Sequence, residues 1–295
     1  MPHIHTSQNQ EGPAMSENIR FRLVGDQNPL ILVPVCVDGR GPYQFILDTG
    51  ASHCLLSQEL SGTLGIQPEV EKQAMGAGGP VKLMFAHVSS MTVGSARQEN
   101  VNVAITNEIQ RIAAAIQSKV DGVLGFEFLK DFILVIDYRD GAFGLSLPSE
   151  YVNGNPTRSG TSISFKLASM SKPLILVPAV VDGQGPFQFA LDTGASRTML
   201  SIELARKLAI QTTDDSPVTA GGSQIKILAG KVSSLAVGGA AVRDHAIGAG
   251  EFLNMLSKAV GTELDGILGY NFLNRFKVTI NYPHSRLELV PAVSP

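Results

Sequence analysis

The 295-residue chain has only two cysteines, no tryptophan, no block of like charge and no long apolar run. Each shortage removes a class of protein. Cys36 and Cys54 cannot supply the disulfide framework that holds small secreted domains together. No stretch reaches the roughly 18 consecutive apolar residues that a membrane-spanning helix needs. Net charge is −3, with the charges dispersed, which leaves no electrostatic grip on nucleic acid or anionic lipid. The six histidines (His3, His5, His53, His87, His245, His284) show no paired-ligand spacing, so neither a metal nor a cofactor is expected. The opening "MPHIHTSQNQEGPAMSENIR" lacks the apolar core of a signal peptide. The expectation is therefore a soluble cytoplasmic protein. Residues 1–18 read as a polar, disordered tail, with a removable pro-segment as the sharper alternative.

What is present describes a globular protein: 44% of residues are apolar and 17% charged, and the length suffices for two cores. Those two units are visible as a repeat. "FILDTGAS" at Phe45 to Ser52 returns as "FALDTGAS" at Phe189 to Ser196, 144 residues later. The same offset aligns residues 28–52 with 172–196, which differ at six of 25 positions, and "VDGVLGFEFL" (120–129) with "LDGILGYNFL" (264–273). No gap is needed between them. Two copies predict two similar lobes, 19–148 and 163–295, joined by a Ser-, Gly-, Asn- and Pro-rich linker at 149–162. A structural disulfide would have been duplicated with the rest, but Val180 and Thr198 stand where copy one has Cys36 and Cys54. Free thiols in a reducing compartment follow.

Each copy reads as mostly β. "LILVPVCV" and "YQFILD" form a hairpin through "DGRGP". A short helix follows, opened by Ser57 or Ser201 as N-cap. "AMGAGGPVKL" and "VTAGGSQIKI" read as Gly-tipped hairpins. "NEIQRIAAAIQSK" places Ile109, Ile112, Ala113 and Ile116 on one helical face, which reads as core packing. Each copy closes with a DGxLG turn, a short helical segment and further strands.

Asp48 and Asp192 each end an apolar run, where an unpaired carboxylate is costly to bury. One reading is a plain turn in which the acid caps a backbone N–H. Asp121 and Asp265 fit that simpler role. Cys54 makes a poor nucleophile, since its counterpart is Thr198 and no histidine partner is evident in the sequence. Asp137 becomes Asn281 in copy two, a difference the sequence alone does not explain.

A strand ending in Asp-Thr-Gly-Ala-Ser, a Gly-rich hairpin, then "VLG" (123–125) or "ILG" (267–269), in that order and twice, resembles the retroviral-type aspartic protease protomer. Bacterial members of that clan, with DGxLG before a short helix, are closest. The resemblance implies a mainly β fold of two retropepsin-like lobes, each with a few short helices, forming a single-chain pseudo-dimer with Asp48 facing Asp192. Two adjacent carboxylates cannot both ionise, so they share one proton, and one can take a proton from water while the other gives one to a carbonyl. In the DTGAS loops, Gly50 and Gly194 would allow close approach. Thr49 and Thr193 would cross-bond to the opposite loop, Ala51 and Ala195 would hold carboxylate oxygens through their N–H groups, and Ser52 and Ser196 would complete the support. Gly76, Ala77, Gly78 and Gly79, with Ala220, Gly221, Gly222 and Ser223, would form two flaps over an extended peptide. The implied protein is a monomeric aspartic endopeptidase acting on peptides or proteins, with no metal, nucleic acid or membrane partner. A non-catalytic peptide-binding module is the alternative. A pepsin-like bilobal enzyme fits less well, because neither flap contains tyrosine.

Overall fold

Ile31, Val33, Val35 and Val37 share one face of the strand Leu30–Val37 and enter the core with Phe45 and Leu47 of Arg40–Leu47, and a two-residue turn closes this first hairpin. That turn is Asp38-Gly39, with φ of 50° and 71°. Both positions require left-handed backbone, which suits this pair of residues. The Asp38 carboxylate then accepts a hydrogen bond from Ser90 N at 2.9 Å, tying the turn to a third strand. Copy two repeats the device with Asp182, Gly183 and Ser234. The computed structural model describes residues 17–26, 29–76, 78–151, 160–214, 217–220 and 223–292. The expected tail over 1–16 and most of the expected linker, 152–159, lie outside the described residues. Glu17, read as tail, accepts hydrogen bonds from Ser95 N and Oγ at 2.7 and 2.8 Å. Thr161 and Ser162, read as linker, already belong to the strand Thr161–Ser164.

The fold is mainly β, two tandem lobes each built on an eight-stranded sheet. In lobe 1 the hairpin strand Arg40–Leu47 is followed across the sheet by Gly122–Leu124, Cys54–Ser57, Ala96–Thr106, Gly79–Val93 and Val70–Gly76. The DGxLG segment is thus a central strand, not the turn expected. Gly122–Leu124 pairs parallel with Phe45–Leu47 and antiparallel with Leu55–Leu56. Gly122 is small because a Cβ there would sit 2.4 Å from the Phe45 ring and from Leu55 O. Asp121 does cap backbone, accepting from Gln44 N at 2.8 Å, and Asp265 does the same for Gln188 N at 2.7 Å. Ser57 and Ser201 cap the helices Gln58–Leu64 and Ile202–Lys207 through their hydroxyls.

A six-stranded sheet joins the lobes. At its centre Ile133–Asp137 of lobe 1 pairs antiparallel with Phe276–Asn281 of lobe 2, and Val135 faces its own repeat counterpart, Thr279. The pseudo-twofold axis passes between those two residues. The register also accounts for the Asp137/Asn281 difference. Asp137 lies opposite Lys277, 3.8 Å from its Nζ, whereas Asn281 lies opposite Ile133. Both side chains cap the turn that follows, Asp137 for Asp140 N and Asn281 for His284 N. Only the one facing a cation carries a charge. Among the described residues no helix is long and apolar enough to cross a membrane.

Candidate active site

The strands Arg40–Leu47 and Gln184–Leu191 run toward each other and end where the lobes meet, which delivers both DTGAS loops to one point. The Thr49 and Thr193 side chains are almost wholly buried there, at 1% and 2% exposure. Thr49 N donates to Thr193 Oγ1 and Thr193 N donates to Thr49 Oγ1, both at 3.0 Å. Each hydroxyl passes its own proton onward across the interface, Thr49 Oγ1 to Leu191 O at 3.1 Å and Thr193 Oγ1 to Leu47 O at 2.8 Å. Four buried bonds therefore clamp one loop to the other. A serine or threonine hydroxyl is needed because it alone donates and accepts within so short a reach.

Above the clamp the Asp48 and Asp192 carboxyls share a hydrogen bond. The loops come so close that a Cβ on Gly50 would lie 2.7 Å from Asp192 Cγ, and one on Gly194 would lie 2.5 Å from Asp48 Cγ. Asp48 Oδ1 accepts from Gly50 N at 2.8 Å and from Ala51 N at 3.0 Å; Asp192 Oδ1 accepts from Gly194 N at 2.8 Å. Burial raises the pKa of Asp48 from the usual carboxylate value, against the lowering effect of its hydrogen bonds to Asp192, Gly50 and Ala51. Asp192 is raised well above that value, by burial first and then by the charge of Asp48. The rise is larger on Asp192, yet each acid has two backbone donors, Gly50 and Ala51 for Asp48 and Gly194 and Ala195 for Asp192. The raised titration thus belongs to the pair rather than to either acid alone.

The dyad lies in a cleft of about 1490 Å³ between the lobes, with Ser52, Ser196 and Gly76 among its lining residues. Gly76 pairs with Gly79 at the end of the hairpin formed by Val70–Gly76 and the start of Gly79–Val93. In copy two the corresponding backbone pair is Ala220 with Ser223, in a separate two-stranded sheet of Val218–Ala220 and Ser223–Ile225. Gly78 lies in the first hairpin's turn, while Ala77, Gly221 and Gly222 lie outside the described residues. Each hairpin reaches the other lobe: Val70–Gly76 meets the helix Phe252–Val260, and Val218–Ala220 meets the helix Glu108–Ala115.

The Ile stripe of that second helix, read from the sequence as core, serves two purposes. Ile109 is fully buried, but Ile112 and Ile116 are half-buried and line the cleft. Phe252, Leu256 and Val260 line it from the other lobe. The two helices carried a signal in the sequence, since both repeats place apolar residues at the same offsets. Cys54 is buried behind the Asp48 loop, and burial pushes its thiol up to about 12, which leaves no thiolate near neutral pH. In lobe 2 that place holds Thr198, whose Oγ1 lies 3.2 Å from His245 Nε2. Burial, with Arg275 nearby, lowers His245 to about 4, so its neutral form packs there.

The sequence profile of a protein family described as aspartyl protease matches the chain twice, over residues 33–128 and again over 177–272. No curated protein matches it.

Proposed function

The chain belongs to the aspartyl protease family, as a retropepsin-like member with two tandem repeats, and from that premise we propose that it is an endopeptidase whose Asp48 and Asp192 hydrolyse peptide bonds in the cleft between its own lobes. The observation that carries this is the matched meeting of the two carboxyls, one from each repeat, at a buried point open to that cleft. The ionised acid takes a proton from water, whose oxygen attacks the peptide carbonyl carbon, while the protonated acid gives its proton to the carbonyl oxygen. The newly protonated acid then gives its proton to the amide nitrogen while the other acid takes one from a hydroxyl of the tetrahedral intermediate; the C–N bond breaks, acid and amine are released, and the pair again holds one proton. The threonine clamp holds the carboxyls in register for both transfers, and the backbones of the two hairpins offer pairing partners to an extended peptide.

Both acids are present and hydrogen-bonded, so a purely binding role is not favoured. We take residues 19–148 and 163–295 as the functional halves and one chain as the active unit, because a tethered second lobe is at high effective concentration. Two free thiols, Cys36 and Cys54, support a reducing, cytoplasmic setting. The direct test is incubation with a proteome-derived peptide library and mass-spectrometric mapping of the cuts. Internal cleavages are expected; removal of terminal residues alone, or no cleavage, would overturn the proposal.

The raised titration of the pair sets a pH dependence. Activity should fall on the acid side as the pair takes a second proton, and on the alkaline side as it loses the shared one. Ala51 and Ala195 offer backbone N–H but no hydroxyl. A hydroxyl donated to the ionised carboxylate would lower the pair's titration, so Ala51→Ser with Ala195→Ser should move the bell-shaped kcat/KM profile toward acid. A flat profile, or an alkaline shift in the double variant, would contradict the shared-proton mechanism.

A further inference from the structure

The cleft is walled from both lobes, and the space beside each wall is taken as one chamber. Ile46, Leu55 and Val123 line the first; their repeat counterparts Ala190, Met199 and Ile267 line the second. A helix walls each chamber with a stripe at spacing i, i+4, i+7, positions that share a helical face. In lobe 1 the stripe is Glu108, Ile112 and Ala115; in lobe 2 it is Phe252, Leu256 and Ala259, and all six line the cleft. Two of the three positions match in character. The first sets a carboxylate against a phenyl ring.

The surroundings differ in the same sense. Arg111 Nη1 donates to both oxygens of Glu108, at 3.0 and 3.2 Å, and the counterpart of Arg111 is Met255, an exposed apolar side chain. The Phe252 ring lies over Gly250, where a Cβ would come within 2.8 Å of it; lobe 1 has Thr106 at that place. Lys172, whose Nζ donates to Met75 O of the lobe 1 hairpin at 3.5 Å, also lines the cleft. One chamber is thus aliphatic with an acid at its wall, and the other is apolar throughout that wall.

Building on the peptidase reading above, we infer that the chambers sort the two side chains flanking the scissile bond: the lobe 2 chamber takes a large apolar or aromatic side chain, and the lobe 1 chamber takes an aliphatic stem ending in a cation, lysine or arginine, whose head meets Glu108. The stem packs on Ile46 and Ile112 while the head keeps a charged partner. It takes the place of Arg111, whose side chain is 62% exposed and returns to water, while the Glu108 carboxylate, 17% exposed, exchanges one cationic partner for another. The same cation in the lobe 2 chamber loses hydration against Phe252, on a stripe that offers it no carboxylate.

The test varies both residues flanking the cut in a synthetic peptide set and compares kcat/KM on each side. The wild-type chain should accept lysine or arginine at one flank only, with phenylalanine, leucine or methionine at the other. Glu108→Gln should lower the lysine-to-phenylalanine ratio at the first flank by roughly tenfold or more. Transplanting the lobe 2 wall, Thr106→Gly with Glu108→Phe and Arg111→Met, should make the two flanks alike. Apolar preference at both flanks of the wild-type cuts, or a ratio unmoved by Glu108→Gln, would overturn the inference and leave the peptidase reading standing. No cleavage of any peptide would overturn both.

Discussion

Asparagine in place of either Asp48 or Asp192 should lower kcat by roughly a thousandfold to ten-thousandfold, and asparagine at both should cost no more than at one. The amide keeps the shape of the carboxyl, and its oxygen can still accept from Gly50 N or Gly194 N at about the present 2.8 Å. What it loses is ionisation. A pair that works by holding one proton between two carboxylates fails as a unit when either member cannot ionise, which is why the losses should not add. Single-turnover hydrolysis of a fluorogenic peptide by the two single variants and the double one, with circular dichroism to verify folding, measures this. A single variant that keeps more than about a hundredth of wild-type activity would remove that aspartate from the mechanism.

Alanine at Gly194 should be nearly as damaging to activity and should also weaken the fold. The added methyl would lie 2.5 Å from Asp48 Cγ, and its mirror change, Gly50→Ala, would bring a methyl 2.7 Å from Asp192 Cγ. Neither loop can retreat without stretching the four threonine bonds that cross between them. Either the carboxyls part or the clamp opens. We expect at least a hundredfold loss of kcat, since misplacement of about 1 Å is enough for that, together with a destabilisation of roughly 2–4 kcal/mol from overpacking and unmade buried bonds. Gly62→Ala is the control: a Cβ there meets nothing within 4 Å, and its helical setting favours alanine. Denaturant titration of the three variants separates the cases. A Gly194→Ala protein as stable and active as the wild type would show that the close approach is dispensable.

Much of this was legible before folding, because the informative residues sit in short, local, duplicated strings. DTGAS twice, with Ser57 and Ser201 ahead of helices and Asp38-Gly39 between strands, requires only neighbours in sequence to interpret. What was not legible depends on register between distant segments. Gly122–Leu124 reads as a turn from its glycines, yet it becomes a central strand because Gly122 fits beneath the Phe45 ring. The exchange of Asp137 for Asn281 acquires a reason only when Lys277 is found opposite one and Ile133 opposite the other. The helix stripe was legible only in part: Ile112, Ala113 and Ile116 do pack with Ile109 on the core, but that Ile112 and Ile116 also line the cleft leaves no mark on the periodicity.

The six-stranded sheet carries a thermodynamic consequence. Its central pair, Ile133–Asp137 with Phe276–Asn281, takes one strand from each repeat, and one contiguous apolar core runs through both lobes. Neither repeat can melt while leaving the other's outer strands paired and its side chains covered. A chain that duplicates one unit in sequence therefore behaves as one unit in calorimetry: a single unfolding transition, with van't Hoff and calorimetric enthalpies that agree, rather than two overlapping ones. The amides slowest to exchange with solvent should be those straddling Val135 and Thr279, since exposing them requires the whole molecule to open.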